Sequence, residues 1–109
     1  MIIISFDSKS LHDSCVTLAA AEDLLGSTHA SALISLISDV EAFENAAELI
    51  DFLGNQVKVC SDDSLFVVIG SDYRAKLVVA GTRFARDIDG RVIWATVARL
   101  KLVDISRQP

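Results

Sequence analysis

The first residues with reactive chemistry lie at the start of the helical part of the chain. His12 and Cys15 stand three residues apart, which puts them on one face of a helix. A first-turn position lowers a thiol pKa through the helix dipole, so the pair has the makings of a Cys–His nucleophile. No third group can be assigned to orient the histidine, and a small buried cysteine is the plainer reading. Adding His29 and Cys60 completes the ligand types zinc prefers, yet the spacing of these residues matches no zinc module. Asp87-Ile88-Asp89-Gly90 begins like a calcium loop, but it lacks the third ligand before glycine and the closing glutamate. Asp62 and Asp63 fall in Ser-Asp-Asp-Ser, which is ordinary turn chemistry. Gly70 and Gly81 are isolated, so no phosphate-cradling loop is formed. These residues point to no metal, no cofactor and no catalytic set.

Two groups remain as candidate binding surfaces. Glu41, Glu44, Glu48 and Asp51 recur at helical spacing and form an acidic line suited to a basic partner. Arg83, Arg86 and Trp94 cluster near the end of a predicted hairpin and offer an anion or ligand patch. Arg83 is diagonal to Trp94, within reach of a cation–π contact, and Arg86 is expected to pair with Asp87. Gly81 faces Ala98, leaving a shallow notch that admits a bulge, a helix or a ligand edge.

The elements that position these groups follow from hydrophobic periodicity. Residues 2–6 read as a short β-branched strand. Ser10-Leu11-His12-Asp13 resembles a capping box and opens a helix over 11–25 that Gly26 ends. Thr28 caps a second helix. Its apolar residues Leu33, Leu36, Val40, Phe43, Ala47 and Ile50 step by three and four, which predicts one long helix over 29–53, about 37 Å in length, ended by Gly54. A break at Ser38-Asp39 is the alternative. Gln56 to Cys60 alternates as a half-exposed strand, and Leu65 to Ile69 is a continuous apolar run typical of a central strand. Asp89-Gly90 then favours a two-residue type I′ turn. That turn sets Ile88 opposite Arg91, Ala85 opposite Trp94, Val79 opposite Leu100 and Leu77 opposite Leu102, in arms of about 12 residues. The expected fold class is α+β: a short N-terminal strand, two helices, and a four-strand antiparallel sheet ending in that long hairpin.

Length and composition bound the rest. With 109 residues the chain makes one domain. An apolar fraction of 51% is rich for so small an interior, which predicts a homo-oligomer formed through the sheet. Residues 10–57 hold eight carboxylates and no lysine or arginine, whereas residues 58–109 hold nine basic and six acidic side chains. The helical half is acidic and the sheet half mildly basic. A uniformly basic footprint is absent, so no nucleic-acid partner is expected. No stretch reaches membrane-span length, no basic signal region precedes the first apolar run, and the two cysteines make no disulfide framework. A cytoplasmic setting is expected.

The order strand, long helix, antiparallel strands resembles the hot-dog fold. Arg86-Asp87-Ile88-Asp89-Gly90-Arg91-Val92-Ile93-Trp94-Ala95 is similar to the late hairpin of hot-dog thioesterases. His29-Ala30-Ser31, leading into a helix with Asp39, is similar to their His-Gly-Gly segment and catalytic acid, although both glycines are replaced and the span from helix to hairpin is one strand short. The resemblance implies a small-molecule or acyl-thioester site between helix and sheet, with Asp39 as base. Against it stands the reading the residues favour: a non-enzymatic interaction module of inhibitor, immunity or regulatory type, whose acidic helix edge holds a basic partner. A structural subunit of a larger assembly is the third reading.

Overall fold

A computed structural model describes residues 1–70 and 72–108. The fold is α+β, with four helices and a five-stranded mixed sheet. Strand β1 (Ile3–Phe6) is followed by helices α1 (Lys9–Cys15), α2 (Leu18–Leu25), α3 (Ser27–Ala42) and α4 (Ala46–Leu53), then by strands β2 (Val57–Val59), β3 (Ser64–Ile69), β4 (Tyr73–Val79) and β5 (Arg99–Arg107). The sheet order is β1-β5-β4-β3-β2. Strands β2 to β5 form an antiparallel meander, and β1 joins its far edge parallel to β5. No helix among the described residues is long and apolar enough to cross a membrane.

Both predicted helices are broken, and local hydrogen bonds explain where. The first splits at Thr17, whose extended backbone and side chain cap α2 by accepting from Ala20 N–H at 3.2 Å. Its start is capped by Ser8, which accepts from Leu11 N–H, so Ser10 lies inside the helix. The long helix expected over 29–53 breaks not at Ser38-Asp39 but at residues 43–45. Phe43 is extended, and Asn45 caps α4 by accepting from Glu48 N–H at 3.0 Å. The Glu48 carboxylate reaches back to Glu44 N–H, also at 3.0 Å, in the manner of a capping box. Tertiary bonds use the groups the break frees: Phe43 C=O accepts from Ile2 N–H, and Ala46 N–H donates to Val97 C=O, each at 2.8 Å. The break also shifts the buried stripe. Leu33, Leu36 and Val40 face inward on α3, but on α4 the buried residues are Ala46, Leu49 and Leu53 rather than Ala47 and Ile50. Gly26 and Gly54 end α2 and α4 as expected, each donating its N–H back to the helix.

The expected long hairpin is also interrupted. Strand β4 stops at Val79 and β5 starts at Arg99, with residues 80–98 forming an excursion between them. Its tip does turn at Asp89-Gly90, but as a three-residue loop: Asp87 and Arg91 bond across it, and Gly90 takes φ +81°. A type I turn followed by a left-handed residue needs this geometry. The tip register therefore pairs Arg86 with Val92 and sets Ala85 against Ile93, one residue off the two-residue expectation. Below it, the Thr96 hydroxyl accepts from Ala85 N–H and donates to Ile93 C=O, and Trp94–Thr96 curls into a 3-10 turn. Side-chain bonds of this kind compete with a ladder. At the base the predicted register returns, with Val79 opposite Leu100 and Leu77 opposite Leu102.

The core lies between the helices and one face of the sheet. Ile2, Leu33, Val40, Leu49, Leu65, Ile69, Leu77, Leu100 and Leu102 are fully buried there. Each contributes about 1.5–3 kcal/mol by leaving water. On β5 a simple alternation from Leu100 and Leu102 would next turn Asp104 inward. A register shift between Lys76 and Leu77 leaves Val103 as an extra residue, so Ile105 packs against the core and Asp104 stays exposed. A bulge repairs a phase change in this way.

Candidate functional site

Among the described residues no helix covers the second face of the sheet. Pairing and alternation place Lys58, Arg74, Lys76, Arg99 and Lys101 on it, with Phe66 near the middle and Asp104 opposite Lys76. The Arg74 guanidinium stacks 4.2 Å from the Phe66 ring centroid, and the Lys76 ammonium lies 5.7 Å from it. Lys76 also reaches the Asp62 carboxylate at 3.5 Å. Arg74 Nε is buried and has no hydrogen-bond partner. Five of the nine basic residues in the second half of the chain thus share one surface.

The acidic line of Glu41, Glu44, Glu48 and Asp51 does not run along one helix. Glu41 ends α3, Glu44 lies in the break, and Glu48 and Asp51 belong to α4. Glu41 is half-buried and the others are exposed. Two have structural duties as well: Glu44 sits 3.0 Å from the Met1 amino nitrogen, and the Glu48 carboxylate accepts the Glu44 N–H in the break before α4. Sequence reasoning missed the aromatic beside them. Phe52 is 60% exposed and touches Phe43 with ring centroids 5.1 Å apart. It lies one helical turn after Glu48 and adjoins Asp51. The signal was its position off the apolar stripe of Leu49 and Leu53.

Arg83, Arg86 and Trp94 all lie in the excursion, but Arg83 and Trp94 line different depressions. Arg86 pairs with Asp63 at 2.7 Å, not with Asp87, and its guanidinium lies 5.3 Å from the Phe84 ring. Asp87 instead accepts the backbone N–H groups of Asp89 and Arg91 and holds the tip. Trp94 lines a depression with Asp63, Asp87 and Arg91. Arg83 faces another one with Arg99, and that depression lies at the Gly81 notch. A side chain at Gly81 would meet Arg99 rather than Ala98.

The groups with reactive chemistry each have other partners or are buried. Cys15 is the last residue of α1, where the helix dipole opposes a thiolate. It is buried, and desolvation pushes its thiol up to about 11. His12 is exposed, turned to Asp13 at 3.2 Å and packed edge-on to Phe6. His29 packs against Tyr73 and faces Asp72 at 3.5 Å. Among the described residues no group of three or more His, Cys, Asp or Glu side chains could hold a metal ion. Asp62 accepts the Ser64 hydroxyl, which with Lys76 holds its carboxyl below the ordinary value, and Asp63 turns the β2–β3 hairpin at φ +64°. Asp39 lines an open depression of about 280 Å³ with Ser35, Gln56 and Gly70. Of the features behind the hot-dog resemblance, His29-Ala30-Ser31 and Asp39 share the continuous helix α3, but that helix ends at Ala42 and the late hairpin is interrupted over residues 80–98. Compared with protein-family models, with curated proteins and with solved structures, the chain matches none.

Proposed function

We propose that this chain is a non-enzymatic protein-interaction module that holds a basic partner through the acidic edge at the α3–α4 junction. The observation that carries the reading is Phe52, a large apolar side chain 60% exposed beside the exposed carboxylates Glu48 and Asp51. An aromatic anchor within a polar rim is the usual composition of a binding hot spot. Carboxylates around it select a partner whose matching surface is cationic and speed the encounter. The burial of Cys15 and its raised thiol pKa favour binding over covalent chemistry. The two free thiols fit a reducing, cytoplasmic setting.

The test is a comparative pull-down. Wild type, an edge variant (Asp51→Lys with Phe52→Ala) and a distant control (Asp13→Lys with Asp23→Lys) are immobilised, with circular dichroism confirming that each is folded. Glu41→Lys and Glu44→Lys extend the edge series, and Glu48 is left in place because its carboxylate accepts the Glu44 N–H in the break before α4. A basic protein retained by wild type and control, lost by the edge variant and released by about 1 M salt is expected. Equal retention by wild type and edge variant would sink the reading.

A further inference from the structure

The excursion of residues 80–98 leaves a depression of about 260 Å³ beside the start of β1. Its walls are apolar, from Ile3, Phe84, Val97 and Ala98, its charged side chains are Arg83 and Arg99, and Met1, whose amino group is held by Glu44, lines it as well. Both arginines are exposed. Neither is held in an ion pair by a described carboxylate: the lysine and arginine side chains that are so held are Lys76 and Arg86. Ile3 itself is 49% exposed. An apolar hollow flanked by two free guanidinium groups calls for an apolar side chain flanked by carboxylates.

The chain carries that counterpart on its own surface, in Phe52 with Glu48 and Asp51. We propose that the acidic edge docks into the Arg83–Arg99 depression of a second copy of this chain, with the Phe52 ring seated against Ile3 and Phe84 and the carboxylates facing the two arginines. The inference rests on the interaction-module reading and names as partner a second copy, acidic overall at net charge −5 but cationic at the patch that meets the edge. Charge decides between the available self-contacts. A two-fold contact of open sheet face on open sheet face would set Arg74, Lys76 and Lys101 against their own copies, and like charges so placed disfavour association. Edge into depression opposes unlike charges instead, and Lys101, two residues from Arg99 on the same face, adds to the attraction. It also buries Phe52 and Ile3, two of the large apolar side chains left in water. Knob and hollow are different patches, so each copy offers one of each.

Sedimentation velocity over a range of concentrations, at low salt and at about 1 M salt, tests this. Wild type self-associates at low salt and dissociates at high salt. Phe52→Ala, a knob-side variant, and the double change Arg83→Glu with Arg99→Glu, a hollow-side variant, each weaken association by about tenfold or more. The decisive sample mixes Phe52→Ala/Asp51→Arg with Arg83→Glu/Arg99→Glu. The first keeps an intact hollow and the second an intact knob, so the mixture forms a 1:1 complex that neither forms alone. A wild type that stays monomeric at low salt, or a mixture that gives no complex, overturns the inference. If in addition the edge variant loses a foreign basic protein that wild type retains, the interaction reading stands with a different partner. If no partner of either kind depends on the edge, both fall.

Discussion

Replacing Asn45 by alanine tests the break that separates α3 from α4. The Asn45 side chain accepts from Glu48 N–H at 3.0 Å, and the residue sits at φ −152°, outside helical geometry. At a cap, Asn→Ala removes the acceptor and costs about 1 kcal/mol, within a range of about 0.5–2. Inside a continuous helix the sign would reverse, because alanine is the better helix former by up to about 0.7 kcal/mol. The Glu48 carboxylate would still satisfy Glu44 N–H, so the loss should stay near the middle of the cap range. For a domain of this size that is a fall in melting temperature of about 4 °C. Asn45→Ser should retain most of the stability and Asn45→Gly should lose only a few tenths of a kcal/mol. Urea and thermal unfolding followed by circular dichroism measure the series. An Asn45→Ala variant as stable as wild type, or more stable, would show that residues 43–45 propagate helix, and the placement of Phe52 argued above would fail with it.

Other expectations follow from burial and charge. Leu49→Ala, at a fully buried site, should cost about 2–5 kcal/mol in urea unfolding, while Phe52→Ala should cost about 1 kcal/mol or less and act mainly on association. Cys60 should react with a thiol reagent in the native protein, and buried Cys15 only on unfolding. Because the Cys15 thiol is raised from 9.0 to about 11, the folded state keeps a proton that the unfolded chain releases. Its contribution to stability is complete below pH 9 and is lost as pH rises through about 11. The stability difference between wild type and Cys15→Ala should therefore move against wild type over that window, and a difference independent of pH would contradict the burial argument. Ser64→Ala should raise the Asp62 pKa toward 3.8, since the Ser64 hydroxyl is the main cause of its depression. An NMR titration of the carboxyl reads this directly.

Local chemistry was enough to determine several parts of this protein. The α+β class, the short first strand, the helix stops at Gly26 and Gly54, and the turn at Asp89-Gly90 all rest on residues whose preferences act over a few positions. The base register of β4 and β5 agrees with the one a two-residue turn predicts, although the turn has three residues and residues 80–98 interrupt the arms between tip and base. Tertiary structure decided the rest. The apolar steps through Phe43, Ala47 and Ile50 fit a continuous helix, and competing bonds from Ile2 and to Val97 reward a break instead. Those partners lie far away in sequence, so periodicity could not register them. Likewise the Thr96 hydroxyl and the α4 amide of Ala46 take up groups that a long hairpin would have paired. The excursion that results brings Arg83 to Arg99 and leaves Trp94 in a different depression. The hollow, and the exposed Phe52 that matches it, exist because bonds between distant residues outcompeted the regular elements their sequences favour.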